Sequence, residues 1–254
     1  MSDLVLHQTH ISYQWISGRA HAPFIIFLHE GLGCSTLWGD FPIRLCSMTG
    51  CHGLVYDRAG HGQSSQVFTE RTVDYLHQHA YVDLPEILQR LLPQKDHILF
   101  GHSDGGSIAL LYGSTQPAKL LGILTEAAHV FVEEITLSGI REAQKAYQAG
   151  KLCKLSSHHG DKLVKLFHDW SECWLCEEFR SWNIEHLLEM IRVPVLALQG
   201  SNDQYGSPAQ LQSITRRIPS ARQQLIQGGG HNLHKDSIEQ MLAVCQQFIT
   251  TVLR

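Results

Sequence analysis

Short apolar runs that stop abruptly at glycine-rich loops constrain this chain more than any other feature. Phe24–Leu28 ends at His29-Glu30-Gly31-Leu32-Gly33, and Gly53–Tyr56 ends at Asp57-Arg58-Ala59-Gly60-His61-Gly62-Gln63-Ser64. His97–Phe100 ends at Gly101-His102-Ser103-Asp104-Gly105. Runs this short and this apolar read as strands buried on both faces. Segments with helical spacing lie between them: about Thr36–Met48, Thr72–Leu92 with Pro93 as a stop, and Ser107–Tyr112. Leu120–Thr125, Val195–Gln199 and Gln223–Ile226 extend the strand series, and Ser207–Ile218 and Ile238–Leu253 extend the helices. Leu4–Leu6 and Ile11–Ile16 predict an opening hairpin. The alternation predicts an α/β fold: a mostly parallel sheet with helices on both faces.

Residues from about Phe131 to Met190 break the alternation, being rich in Trp, Leu and helix formers without a convincing strand. The expected organisation is a core of residues 1–130 and 191–254 with a helical cap over 131–190. The cap would cover the carboxyl edge of the sheet, where open α/β folds bind ligands.

Bulk properties exclude several classes. The chain has 254 residues, 43% hydrophobic and 17% charged, enough for one large globular domain. A net charge of -4 offers no basic face for nucleic acid. The first fifteen residues lack a basic region followed by an apolar one, and no apolar run reaches the roughly 20 residues of a membrane helix. No membrane partner is expected. Seven scattered cysteines, an odd number, predict free thiols and a cytoplasmic protein. Cys173 and Cys176 form a C-x-x-C with Cys153 and His158–His159 nearby, but no second pair lies at zinc-ribbon spacing. Helix packing is the expected role, and no metal is called for.

Gly101-His102-Ser103-Asp104-Gly105 matches G-x-S-x-G in the context that motif needs, between a strand and a helix. A tight turn there would expose the serine oxygen, with a helix N-terminus behind it where negative charge develops. A serine hydroxyl needs a base, and the base needs a partner on its other ring nitrogen. Asp203 and His231 follow strands Val195–Gln199 and Gln223–Ile226, in the order Ser, Asp, His. His234 is the rival base, and Glu126, at the end of the fourth parallel strand, is the reserve acid. The amides of Asp104 and Gly31 are the expected oxyanion hole, with Leu32 as the substitute for Gly31. Glu30 is unexpected beside an oxyanion, and pairing with Arg58 is the plain explanation for it.

Together these pieces resemble the α/β-hydrolase superfamily over nearly the whole chain. The D-R-x-G-x-G-x-S stretch at 57–64 looks like the family's loop after its second parallel strand. His29-Glu30 replaces the common His-Gly, which is similar to a bacterial subgroup carrying H-E-G-L-G and G-H-S-D-G-G. That resemblance implies ester hydrolysis without cofactor, with macrolide lactones among the possible substrates. Thioesterases, lipases, aminopeptidases, C–C hydrolases and lyases share the fold, so fold does not choose the bond. The rival readings are a C–C hydrolase or lyase without an acyl-enzyme, and a ligand receptor.

The expected partner is a small, hydrophobic or bulky ester. Trp170, Trp174, Trp182, Phe131, Phe167 and Phe179 fall in the cap and would either line an apolar pocket or dock the cap on the core. Glu30, Trp38, His129, Trp170 and Trp174 are the candidate substrate-binding residues. The oligomeric state has no signature in the sequence.

Overall fold

A computed structural model describes residues 2–254. Strand β1 (Ser2–Leu6) turns through His7 and Gln8, both at positive φ (47° and 67°), into β2 (Thr9–Ile16). Two successive positive φ values give a two-residue turn whose twist matches the hairpin. Six strands follow: β3 (Phe24–Leu28), β4 (His52–Tyr56), β5 (His97–His102), β6 (Leu120–Glu126), β7 (Val195–Gly200) and β8 (Ala221–Ile226). They form one sheet in the order β1-β2-β4-β3-β5-β6-β7-β8. Pairing is antiparallel at β1–β2 and β2–β4 and parallel elsewhere.

Neighbouring residues of each buried strand serve opposite layers, as strand geometry requires. Ile25, Phe27, Ile98 and Phe100 pack with α1 (Phe41–Thr49) and the last helix, through Leu45, Met241 and Phe248. Ile26, Leu28 and Leu99 face the other way, toward α2 (Leu84–Leu91) and α3 (Asp104–Ser114). Between β6 and β7 the chain runs through α4 (Glu134–Gln148) and α5 (Leu163–Leu175), whose Tyr147 and Phe167 rings stack at 4.0 Å. A single antiparallel bridge, Phe131 to Asn183, joins the ends of this segment. Helices α6 (Ala209–Arg217) and α7 (Ile238–Val252) complete the fold. Among the described residues no helix is long and apolar enough to cross a membrane.

One expected helix changes pitch and another is broken. Thr72–Leu92 contains a single turn at Tyr75–Gln78, a π-helical stretch at His79–Asp83, and then α2. Pro85 has no N–H to donate, so regular α-helical bonding restarts around it. The expected helix from Thr36 is split by Gly39, at φ 60°, into a 3-10 turn (Ser35–Trp38) and α1.

Candidate active site

Ser103 sits between β5 and α3 with φ 52° and ψ -115°, a backbone region that L-residues avoid. Its amide donates to Glu126 O at 2.8 Å, which ties the turn to the end of β6. Helix α3 approaches β3 so closely that a Cβ on Gly105 would lie 1.9 Å from Leu28 O. The strained turn is thus held from two sides. The Ser103 side chain borders a cavity of about 140 Å3, together with Gly31, Asp104, His129 and His231.

Asp203 follows β7 and His231 follows β8, so both reach the carboxyl edge where Ser103 stands. His231 Nδ1 lies 2.8 Å from Asp203 Oδ1. A carboxylate only accepts, so Nδ1 carries the proton and Nε2 keeps a basic lone pair. Asp203 also accepts from the Tyr205 amide at 2.9 Å and from Gln199 Nε2 at 3.3 Å. Burial alone would raise the Asp203 pKa, but the hydrogen bond and charge of His231 bring it below its ordinary value. His102, beside the serine, lies with Nε2 2.9 Å from the His231 carbonyl and anchors that loop.

The rivals are engaged elsewhere. Glu126 accepts from the His234 amide at 3.0 Å and lies 2.9 Å from His234 Nδ1. The reserve acid and the rival base therefore pair with each other. Among the described residues, His102, Glu126 and His234 are the one group with metal-ligand spacing, their donor atoms within 4.8 Å of one another. Glu126 and His234 already bond each other, and His102 Nε2 bonds the His231 carbonyl, so an ion would have to compete with these bonds. The C-x-x-C residues do not gather a site. Cys176 Sγ donates to Cys173 O, His158 meets Thr36, and His159 accepts from Gly62 N.

Asp104 is the first residue of α3, so the helix leaves its amide unpaired. Gly31 O lies 3.1 Å from His61 Nε2, which fixes the orientation of the loop. A Cβ at Gly31 would lie 2.5 Å from Trp170 Nε1, so the indole packs directly on this loop.

Two expectations need correction. Glu30 does not pair with Arg58. Its Oε2 lies 3.4 Å from His102 Nδ1, while Arg58 Nη2 donates to the Glu30 carbonyl at 2.8 Å and Nη1 faces Asp104 Oδ2 at 3.6 Å. Arg58 is buried, and the Asp104 carboxylate is the anion within its reach. Burial opposes ionisation of Glu30, but His102 holds its pKa well below the ordinary carboxylate value. Trp38 does not border the cavity. It is buried against Phe27, Phe100 and His234 on the opposite side of the sheet.

Glu30, His129, Trp170 and Trp174 do border the cavity. Burial, then the charge of His231, keeps the His129 pKa below normal, so this ring is neutral. Phe167, Phe179 and Trp182 pack into the core, and Phe131 lies against it. Sequence reasoning missed Tyr205, Thr136, Ile140 and Asn232, which also line the cavity. Tyr205 stands two residues past Asp203, and Thr136 and Ile140 share one helix face at i, i+4, so both signals were present. It also missed Tyr75, which donates to Asp104 Oδ2 and accepts from Trp174 Nε1, both at 2.8 Å.

The Alpha/beta hydrolase family profile matches residues 25–244. The chain is similar to the sn-1-specific diacylglycerol lipase ABHD11 of Mus musculus, 26% identical over 94% of this chain and 85% of the relative. It is also similar to the serine hydrolase BPHL of Mus musculus, at 25% over 97% and 85%. Among solved structures, a proline iminopeptidase of Mycobacterium smegmatis superposes with a TM-score of 0.76 at 18% identity, covering 99% and 98%. The enol-lactonase of Burkholderia xenovorans LB400 gives 0.73 at 18%, covering 98% and 100%. At these identities the structural matches speak for the fold.

Proposed function

The chain belongs to the Alpha/beta hydrolase family, and from that premise we propose that it cleaves a carboxylic ester or lactone through an acyl-Ser103 intermediate. One observation carries the reading: the Asp203–His231 hydrogen bond leaves a basic nitrogen on a ring that shares a small cavity with Ser103. Ser103 Oγ attacks the acyl carbon while His231 Nε2 takes its proton. The carbonyl electron pair moves to oxygen, where the amides of Gly31 and Asp104 hold the charge. Collapse expels the alkoxide, which takes the proton from His231. Water then gives a proton to the same nitrogen, attacks the acyl carbon and frees the acid, and Ser103 recovers its proton. Asp203 stabilises the imidazolium throughout.

Glu30 is ionised at neutral pH and turned to His102, so it has no proton to give. Residues 131–190 act as the cap: Thr136, Ile140, Trp170 and Trp174 bring that segment to the cavity wall. Their character supports a small-molecule ester with an apolar portion, and a macrolide lactone is one such substrate.

The test is a turnover screen of esters, thioesters and macrolactones, with Ser103→Ala as control and rapid quenching to weigh the enzyme. Ester turnover with a mass increment on Ser103 supports the reading. Turnover that survives in Ser103→Ala, or that never passes through an acyl-enzyme, refutes it and favours C–C chemistry.

A further inference from the structure

The cavity at Ser103, about 140 Å3, holds a reacting ester group but is smaller than the roughly 300–1,000 Å3 of sites that enclose a drug-sized ligand. Two larger cavities flank it. One, of about 560 Å3, is charged: Arg71, Lys162 and Lys165 face Glu70, Asp83 and Asp169. It shares no lining residue with the serine cavity; Tyr75 borders it, with a hydroxyl bonded to Asp104 and Trp174 of the serine cavity. An apolar group there would also strip water from charges.

The other cavity, of about 580 Å3, shares Leu32 and Tyr205 with the Ser103 cavity. Helix α4 walls both: Thr136 and Ile140 face the serine side, while Ser138, Ala143 and Ala146 face the outer side. Leu152 and Leu155 add to its apolar lining, and Glu142 is its one carboxylate, paired with Lys145 at 2.7 Å. Leu32 and Tyr205 are the residues that border both this groove and the cavity at the reacting centre. The Tyr205 ring is 4.7 Å from His231, and its backbone carbonyl accepts from Thr136 Oγ1 at 2.6 Å, which holds Tyr205 to α4.

We infer that this outer groove is a substrate subsite, and that it takes the uncharged apolar body of the ester whose scissile carbonyl lies at Ser103. The inference rests on the hydrolase reading and adds the substrate class to it: esters with one large, neutral, apolar portion. Leu32 and Tyr205 separate the reactive end from that body. A small acetate ester needs only the inner cavity.

Two variants fill the groove without touching the catalytic residues: Ser138→Trp, at an exposed position, and Ala146→Trp, at a half-exposed one. The kinetic arm uses 4-nitrophenyl acetate, 4-nitrophenyl decanoate and decyl acetate. Wild type should favour at least one decyl-bearing ester, and both variants should lose about tenfold or more in its kcat/KM while 4-nitrophenyl acetate is unchanged. The binding arm titrates methyl decanoate and decyl acetate into Ser103→Ala, alone and with Ala146→Trp added. Saturable binding of either ester that the second substitution abolishes supports the groove even if nothing is hydrolysed, in which case only the hydrolase reading falls. Equal handling of decyl esters and acetate by variants and wild type, or binding indifferent to Ala146→Trp, overturns the inference.

Discussion

The Asp203–His231 bond decides which ring nitrogen carries the proton, and function at the residue scale turns on it. Asp203→Asn keeps the shape but offers Nδ1 an amide in place of a carboxylate. Turnover should fall by about 10,000-fold with the fold intact, as initial rates and circular dichroism would report. Glu30→Gln, by contrast, removes a carboxylate that has no proton to donate at neutral pH, so kcat measured at pH 7 should be retained. A large loss would make Glu30 a chemical participant. The gathering of Ser103, Asp203 and His231 at one edge of the sheet was legible because each follows a strand at a fixed place in the chain order. The partners of Glu30 and Arg58 were not. Which of two nearby anions a buried guanidinium meets depends on side-chain directions that sequence spacing does not contain. Trp38 failed for a related reason: nearness in sequence to the oxyanion loop does not say on which side of the sheet a side chain falls.

At the scale of elements, the β5–α3 turn combines strain at Ser103 with close backbone approach at Gly105. Gly105→Ala places a methyl 1.9 Å from Leu28 O, where both sides are backbone and neither yields easily. A loss of about 3 kcal/mol or more in urea unfolding is expected, whereas the same substitution at an open helical position would be favourable. Ser103→Gly should do the opposite and gain about 1 kcal/mol over Ser103→Ala, because glycine adopts the positive φ without strain. The parallel strands and most helices could be read from apolar runs and glycine punctuation. The break at Gly39 and the change of pitch before Pro85 were less visible, because apolar periodicity continues across both. Helix α4 lies in a stretch whose helix formers were visible, but composition alone cannot say that one of its faces borders a cavity.

Across the whole molecule, buried acids set the response to pH. Asp203, Glu30 and Glu126 all have pKa values below their ordinary ones; burial opposes this, and histidine partners outweigh it. A carboxyl depressed in the folded state adds stability above its unfolded pKa and loses it as pH falls through the folded value. Stability should therefore hold near neutrality and decline below about pH 4.5, the ordinary carboxylate range. Glu126→Gln should flatten that decline, because it removes one of the depressed carboxyls. Urea titrations at several pH values would show both effects. The central claim, that the assembled edge of the sheet activates Ser103, is tested most directly with a fluorophosphonate probe. Mass spectrometry of the labelled protein should place one adduct on Ser103, absent from Ser103→Ala and strongly reduced in Asp203→Asn. A folded wild-type protein that takes no label, or takes it at another residue, would contradict the account.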